Sequence, residues 1–468
     1  MKTYQDFLES QNDIPGFISS AISEYKSSAE YKNAKTADAY DKQENTTIIR
    51  YEKYLRTMTG QLIHDDFSAN HKLASNFYNK FNVQENQYLL ANGVTFTKKD
   101  TKDKLGTGKK AFDTQLQKLG KKALTHRVAY GYYNADHIEV FEALEFVPLI
   151  DEEDGAMKAG IRFWQVSENK PMRATLYELD GYTQYIKRTR GKKETSYEIY
   201  KPKSPYKYHK RESIVDGVEL YDGENYPSFP IVPLWGNQDH ICKIVPWRRG
   251  IDCYDLVKSG FANDIDDANF IFWCISNAGG MDDVDLAEFL QKMRTLHATT
   301  LDDGVSVTPH TQDIPVTARE TLLNRVETDL YKDAMALDTE AIAKGNTVAT
   351  AIRAAYEPLN NKTDDFEYCV IEFIQGILEL IGVEDDPTFK RSTIVNQTEE
   401  TQMVLSAAQY LDNETVLRHL PFLSVDEIPD ILNNKTREEA ERTENAIIQQ
   451  QMMNELDGEK KEEEPKEE

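Results

Sequence analysis

Little in this 468-residue chain could cross-link it. It has four cysteines, Cys242, Cys253, Cys274 and Cys369, and no CxxC pair. That spacing excludes a zinc ribbon and a disulfide framework and predicts four reduced thiols. Long apolar runs are also missing. The longest, such as Phe270 to Ile275, fall far short of the roughly 18 residues that a membrane helix needs, so no membrane partner is expected. The first 25 residues carry Asp6, Glu9, Asp13 and Glu24 and no long apolar stretch, which predicts no signal peptide. Positive charge is scarce: 55 Lys and Arg stand against 80 Asp and Glu, a formal net charge of −25. That balance argues against polycation-style capture of nucleic acid, though not against a local basic face. Aromatic residues are not scarce. With 19 Phe, 25 Tyr and 4 Trp, the chain has too many apolar anchors to be disordered throughout. Its length allows two or more domains, and no internal repeat is found.

Residues 1–95 read as mainly helical and polar, with 47–63 and 70–90 as candidate helices. Residues 97–111 form a basic, Gly-containing loop, followed by a helix over 112–126 with Phe112, Leu116, Leu119 and Ala123 at helical spacing. From 127 to 235 the period changes to two. Strands are predicted over 127–133, 138–150, 160–167, 173–180, 182–188 and 195–200, separated by Asp154-Gly155, Asp180-Gly181 and similar turn signals. The pattern predicts an antiparallel meander with one wet face.

The stretch 250–382 is the most informative. Tyr254, Val257, Phe261, Ile265, Ala268 and Phe272 define an apolar stripe on a helix over 251–275. Its other face is acidic, since 251–290 hold nine Asp or Glu and one Lys. A compact segment follows, with a short helix over 286–296 and a strand over 304–308. A second helix is predicted from a capping box, Thr317-x-x-Glu320, with the stripe Leu323, Val326, Leu330, Ala334 and Leu337. After the loop 338–346 a third helix runs over 347–381. Gly382 is its C-terminal stop, and Pro358 inside it predicts a kink near 354–358. Residues 390–453 are helical, with capping boxes at Ser424-x-x-Glu427 and Thr436-x-x-Glu439. The last 15 residues, with eight acids and three Lys, predict a disordered tail.

Signals for catalysis are weak. Gly106-Thr107-Gly108-Lys109-Lys110 resembles a phosphate loop, but Asp103 replaces its first glycine and Lys110 its Ser or Thr. His64-Asp65-Asp66 has no second histidine at ligand spacing. Asp264, Asp266 and Asp267, and Asp282, Asp283 and Asp285, are carboxylate clusters that a two-metal nuclease could use, and are read as solvated faces. No cofactor, no metal and no enzymatic activity are expected. Two basic stretches stand out. Residues 97–127 hold ten Lys or Arg and three Asp; residues 187–211 hold ten and two Glu, interleaved with Tyr197, Tyr200, Tyr206 and Tyr208. Such residues can hold a nucleic-acid strand, but a solvated hairpin is the plainer reading.

The order of elements has its own logic. A long helix leaves the body, a small acidic module follows, a second helix returns, and a loop leads to a kinked helix. A hairpin of helices with so little apolar surface is marginal alone and better supported beside copies of itself. A ring of such hairpins would enclose a channel with acidic walls, which repel a phosphate backbone and favour sliding over sticking.

At this point the chain resembles the portal (head-to-tail connector) proteins of tailed double-stranded DNA bacteriophages of the siphovirus type. The resemblance covers about 45–450 and rests on segments in order. They are residues 70–81 with Gln87-Tyr88-Leu89-Leu90, Ala129-Tyr130-Gly131-Tyr132, Pro230 to Trp235, Ile251 to Asp255, Leu323 to Tyr331, and Glu414 to Pro421. It implies an α+β portal fold with an antiparallel-sheet wing, a long-helix stem hairpin, a small α/β clip and a helical crown. By position, 1–245 would be wing, 246–275 and 313–337 stem, and 276–312 clip. Residues 338–346 would be tunnel loop, 347–385 the kinked wing helix, 386–453 crown and 454–468 the acidic tail.

The family implies a homo-oligomeric ring, commonly a dodecamer, at one vertex of the capsid. Its partners would be double-stranded DNA in the channel, the terminase large subunit, the major capsid and scaffolding proteins, and a head-completion adaptor. Asp338, Thr339, Glu340, Ala341, Lys344, Gly345 and Asn346 would face DNA, Pro358 would mark the kink, and Asp282, Asp283, Asp285 and Glu288 would lie on the docking clip. The other readings are another minor capsid or virion ring protein, or a metal-dependent nucleic-acid-processing enzyme.

Overall fold

The computed structural model describes residues 1–57, 59–66, 68–98, 100–190, 193–194, 196–215, 218–268, 272–276, 282–296, 306–310, 314–340, 349–392, 397–420, 423, 428–438 and 440–442. The chain divides into two compact units, 1–339 with 356–392, and 340–355 with 393–468.

The first unit opens with α1 (Tyr4–Glu9), which starts at a reciprocal capping box between Thr3 and Asp6. Helix α2 (Ile14–Ser27) is capped by Asp13, with Pro15 in its first turn. Phe7, Phe17, Ile18, Ile22 and Tyr25 form one buried side of the pair. Helix α3 (Ala29–Asp41) follows, capped by the Ser28 side chain. The helix expected over 47–63 does not form beyond α4 (Thr46–Ile49). Its remainder is a hairpin, β1 (Tyr54–Arg56) and β2 (Leu62–His64), in which Leu55 faces Ile63. The reason is local: Tyr, Ile and Leu favour strands, and Gly60 at φ +85° supplies the turn. The helix expected from residue 70 begins at Phe77 and ends at Leu90 (α5). Residues 70–76 have no regular structure of their own.

Strand β3 (Val94–Phe96) leads to α6 (Thr101–Leu105), so the basic loop is partly folded. It is also anchored: Asp385 accepts the amides of Thr97 at 3.1 Å and Lys98 at 3.0 Å and the hydroxyl of Thr101 at 2.6 Å. Those bonds hold the Asp385 carboxyl down to about 2. Helix α7 (Phe112–His126) has the expected bounds and stripe.

The predicted strands are present and more numerous. β4 (Val128–Asn134), β5 (His137–Glu142) and β15 (Ile231–Trp235) form one sheet in the order β15-β4-β5. β6 (Phe146–Ile150), β7 (Met157–Trp164), β8 (Met172–Glu178), β9 (Gly181–Lys187) and β12 (Glu198–Ser204) form a second, an antiparallel meander. β10 (Thr189–Arg190) pairs with β11 (Lys193–Glu194), and β13 (Lys207–Val215) with β14 (Val218–Glu224). The strand expected over 138–150 is split at Ala143–Glu145 into β5 and β6, which belong to different sheets.

The meander does not keep one wet face. Val147, Leu149, Ile161, Phe163 and Leu176 pack under α1 and α2, whereas Phe146 and Tyr177 point into the cluster of Tyr132, Phe141 and Tyr206. Alternate residues of a strand face opposite ways, so this sheet is covered on both sides at its centre.

The long helix follows from sequence most directly. α8 (Ile244–Ala268), β16 (Phe272–Ser276), α9 (Asp283–Leu296), β17 (Ser306–His310) and α10 (Val316–Asp333) precede it. α11 (Ala349–Leu380) is 32 residues long and contains Pro358. Leu359, Phe366, Val370, Phe373, Ile374 and Ile377 are buried along one side. Its approach to the sheet requires Gly131 of β4, where an added Cβ would lie 2.5 Å from the Phe373 ring. The expected stop is observed: Gly382 has φ +67°, its amide reaches Glu379 O, and the Val383 amide reaches Leu378 O, a Schellman cap. β18 (Pro387–Phe389) then pairs with β3.

The second unit holds α12 (Gln397–Ala407), α13 (Asn413–Arg418) and a helical segment over 428–438. The cap of α13 is Asp412, which accepts the Thr415 amide at 3.0 Å. Thr436 does not cap a helix; it lies inside one and donates to Leu432 O. Ser424, Glu427 and the tail 454–468 lie outside the described residues.

Candidate functional site: helical hairpin, loop root and long helix

Helices α8 and α10 run antiparallel. Gly250 meets Leu330 near one end, and Asp264 pairs with Arg319 near the other. Arg319 also lies over the Phe261 ring at 5.8 Å. At about 1.5 Å per residue the 25 residues of α8 span roughly 37 Å. The helix ends at Ala268, seven residues before the expected Ile275, and Phe272 belongs to a strand rather than to the helical stripe. A short apolar run such as 270–275 fits either period, and its aromatic and β-branched residues favour the strand. β16 pairs with β17 antiparallel, from Phe272 with His310 to Ser276 with Ser306, and α9 lies between them in sequence. Helix α10 begins at Val316 after Pro315, with no side-chain cap; Thr317 sits one residue inside, so the expected capping box does not form.

The stripes are distributed unexpectedly. The expected Leu330, Ala334 and Leu337 are buried, but only Leu330 lies within α10, which ends at Asp333 rather than at the expected 337. On α8 the buried stripe is polar: Ile251 is followed by Asp255, Ser259 and Asn263, each almost fully buried. Positions four apart share a helix face. These three side chains accept the amides of an irregular strap: Asn263 takes His71 N at 2.6 Å, Ser259 takes Leu73 N at 3.0 Å and Asp255 takes Ser75 N at 2.9 Å. Asn45 also donates to Asp255 at 2.7 Å. Burial pushes the Asp255 carboxyl up, opposed by these hydrogen bonds. Ile265 and Leu256, by contrast, are 49% and 45% exposed. The polar side of α8 is therefore in part an internal bonding surface, while Asp266 stays exposed and part of the apolar side is open.

The loop after α10 has a fixed root. Met335 at φ +49° ends the helix, and the Leu337 amide and carbonyl bond reciprocally to the Gln84 side chain, both at 2.9 Å. Thr339 and Glu340 begin a helical turn. Asp338 and Thr339 close the first unit and Glu340 opens a segment of the second. Ala341, Lys344, Gly345 and Asn346 lie outside the described residues. Pro358, lacking an amide hydrogen, stands three residues after the 355/356 division between the units.

The family described as "Phage portal protein, SPP1 Gp6-like" matches residues 22–464. This chain belongs to that portal family. The portal protein of Bacillus phage SPP1 is 25% identical over 413 residues, covering 80% of this chain and 78% of that one. The portal protein of Clostridium phage phiCD119 is 26% identical over 208 residues, 42% of this chain and 46% of that relative, so this match spans under half of its length. Among solved structures, a chain of the virion of a native gene transfer agent particle is 13% identical with TM-score 0.42, covering 72% of this chain and 86% of that one. A chain from the neck of an empty particle of that kind gives TM-score 0.43 at 12% identity and the same coverage.

In this portal chain four of the six carboxylates that suggested metal chemistry have partners of their own, and the side chains of Asp267 and Asp283 lie outside the described residues. Asp264 binds Arg319 and Asp266 binds His71 at 2.8 Å. Asp282 caps α9 through the amides of Val284 and Asp285, both at 2.9 Å, while Asp285 accepts the Asp282 amide at 3.3 Å. Glu288 pairs with Lys292 at 2.8 Å, which lowers its carboxyl below the usual range. His64 pairs with Asp66 at 2.7 Å.

Among the described residues, one group of three metal-ligating side chains converges, Asp38, His126 and Glu142, a set that the sequence separates too widely to suggest. Lys42 already neutralises Asp38 at 2.7 Å and Lys122 neutralises Glu142 at 2.9 Å. His126 and then Lys42 hold the Asp38 carboxyl far down. This is a neutralised clamp joining α3, α7 and β5.

A second buried group ties α11 to the root of α8. Glu85, with a fully buried side chain, binds Lys243 at 2.6 Å and Lys362 at 2.8 Å, and Lys362 lies over Trp247 at 5.1 Å. Burial pushes the Lys243 ammonium down to about 8 despite Glu85 beside it. The tyrosines of the basic stretch are partly core: Tyr197 and Tyr206 are buried in separate clusters, and Arg173 covers the exposed Tyr200. No helix among the described residues is long and apolar enough to cross a membrane.

Proposed function

We propose that copies of this chain form a closed ring at one capsid vertex, a conduit and valve for double-stranded DNA during packaging and ejection. The observation that carries this reading is the order α8, β16-α9-β17, α10, pinned loop root and Pro358-containing α11, in a chain matched by the portal family from 22 to 464. Residues 246–275 and 313–337 are the stem, 276–312 the clip, 338–346 the tunnel loop and 347–385 the helix behind it. The wing is 1–245 and the crown 386–453. The half-open apolar side of α8 suits contact with a neighbouring copy. The clip carrying Asp283 and Glu288 docks the terminase large subunit and later the head-completion adaptor; Asp282 and Asp285 shape that surface by capping α9. The outer wing meets the major capsid and scaffolding proteins, and assembly takes place in the host cytoplasm.

The mechanism is passive, without an enzymatic step. With net charge −25 per chain the channel wall repels phosphates, so DNA slides. The tunnel loop, with Asp338, Glu340 and Lys344, shifts on two hinges, Gly345 and the unbonded turn before Pro358. Light scattering of the full chain should give the mass of a ring of about a dozen subunits, with a central hole in negative stain. A monomer at every salt and protein concentration would overturn the reading. Pro358→Ala should form rings normally and package less DNA per particle; unchanged packaging would remove the mechanical role of the proline.

A further inference from the structure

The β1–β2 hairpin is the least explained part of the first unit. All six strand residues are exposed, and four are large and apolar: Tyr54 at 55%, Leu55 at 43%, Leu62 at 70% and Ile63 at 48%. Single exposed apolar residues are ordinary, but four within two three-residue strands leave an apolar pair on each face of the hairpin. The register places Leu55 with Ile63 on one face, and Arg56 with Leu62 and Tyr54 with His64 on the other. A two-stranded hairpin of this size is not stable on its own side chains. Its root is nevertheless firm. Lys53 O accepts the Asp65 amide at 2.9 Å, the Lys53 ammonium reaches Ala69 O at 2.6 Å, and the Lys72 ammonium reaches Ile49 O at 2.6 Å. The strap bonded to α8 follows directly. The hairpin is an apolar projection on a rigid base.

The same chain has an unfilled counterpart. A recess of about 460 Å³ opens between α5, α7 and β5, lined mostly by apolar atoms and including Val83, Gln87, Thr114, Lys118 and Val140. Val83 is 37% exposed. Its rim is basic through exposed Lys118, whereas the hairpin leads to the 80%-exposed Asp66 beside His64. A knob and a recess on different elements of one chain can join head to tail, the contact type that gives a ring when its rotation closes. For chains of net charge −25, such a contact also sets opposite charges together where most of the surface repels.

We propose that the β1–β2 hairpin seats its apolar residues in the α5–α7 recess of a second copy of this chain, so that each subunit grips the next. The inference rests on the ring reading above. Two full-length variants test it, Leu62→Asp with Ile63→Asp, and Val83→Arg. Ring fraction is measured by light scattering and negative stain beside wild type, and folding by circular dichroism and thermal melting. The expected result is at least a ten-fold loss of rings in both variants, with melting of the separated subunits unchanged. A second measurement covers misfolding. In a Cys253→Ser, Cys274→Ser background, Leu62→Cys with Val83→Cys should give an oxidised ladder of multimers that neither single cysteine gives. Wild-type rings with no ladder, or with rings in either variant at wild-type level, would overturn the hairpin assignment and leave the ring standing. Wild type that never forms rings would overturn the ring reading itself.

Discussion

Glu85 is the residue whose loss should be felt furthest. Its side chain is fully buried between Lys243 and Lys362, so one anion serves two cations. Removing it leaves two buried ammonium groups without a counter-charge, at a cost of about 3–5 kcal/mol. Glu85→Ala should lower the unfolding free energy by that amount in denaturant titration, and Lys362→Met by clearly less, because Lys243 remains. Equal losses would mean that the pair with Lys362 carries the energy. Nothing in the sequence marks Glu85. In Asn82-Val-Gln-Glu-Asn86 no pattern sets the polar residues apart, yet Asn82, Glu85 and Asn86 are all buried. Gly382 was legible, because a glycine after a long apolar stripe has one common use, the left-handed cap. Asp38, His126 and Glu142 were not, since only the tertiary fold brings them together.

At the scale of elements, the strap on α8 gives the sharpest expectation. Each lost acceptor leaves an amide in a half-buried groove, worth about 1–3 kcal/mol. Replacing Asp255, Ser259 and Asn263 together with alanine should speed hydrogen exchange of the amides at 71, 73 and 75 by orders of magnitude, with α8 still helical. Unchanged protection would show that packing, not these bonds, holds the strap. The periodicity of α8 exposed the helix but missed its buried polar stripe, since polar residues were assumed to face water. The helix expected over 47–63 failed where strand-forming residues flank Gly60. The boxes at Thr317 and Thr436 failed because the four-residue pattern arises often by chance, and their helices start where other contacts place them. α7 with its sustained stripe, the short α9, and α11 with its glycine stop were read within a few residues.

For the whole molecule, charge sets the expectation. Copies carrying −25 each repel one another, and salt screens that repulsion within about 10 Å at 0.1 M. If copies associate through apolar contacts, the ring fraction should rise between 20 mM and 500 mM NaCl. A fall would point to ion pairs as the main bond between subunits. The architecture was legible at this scale even where single elements were not. The order of hairpin, module, returning helix and proline-containing helix survives an error of seven residues at the end of α8. The polar anchoring that positions those elements could not be read, because hydrogen-bond partners nearly 200 residues apart leave no pattern in sequence.

The strap also behaves as a gauge. Four residues of helix advance about 6.0 Å, while two residues of extended chain advance about 6.4–6.8 Å. The two rulers slip by about half an ångström per rung, and the helix face also turns away by about 40°. After three rungs the mismatch approaches the tolerance of a hydrogen bond, so the ladder ends itself near His71. Shifting it by one rung would move the strap about 6 Å along α8 and carry the hairpin root with it. The height of the β1–β2 projection along α8 is therefore set in steps rather than continuously.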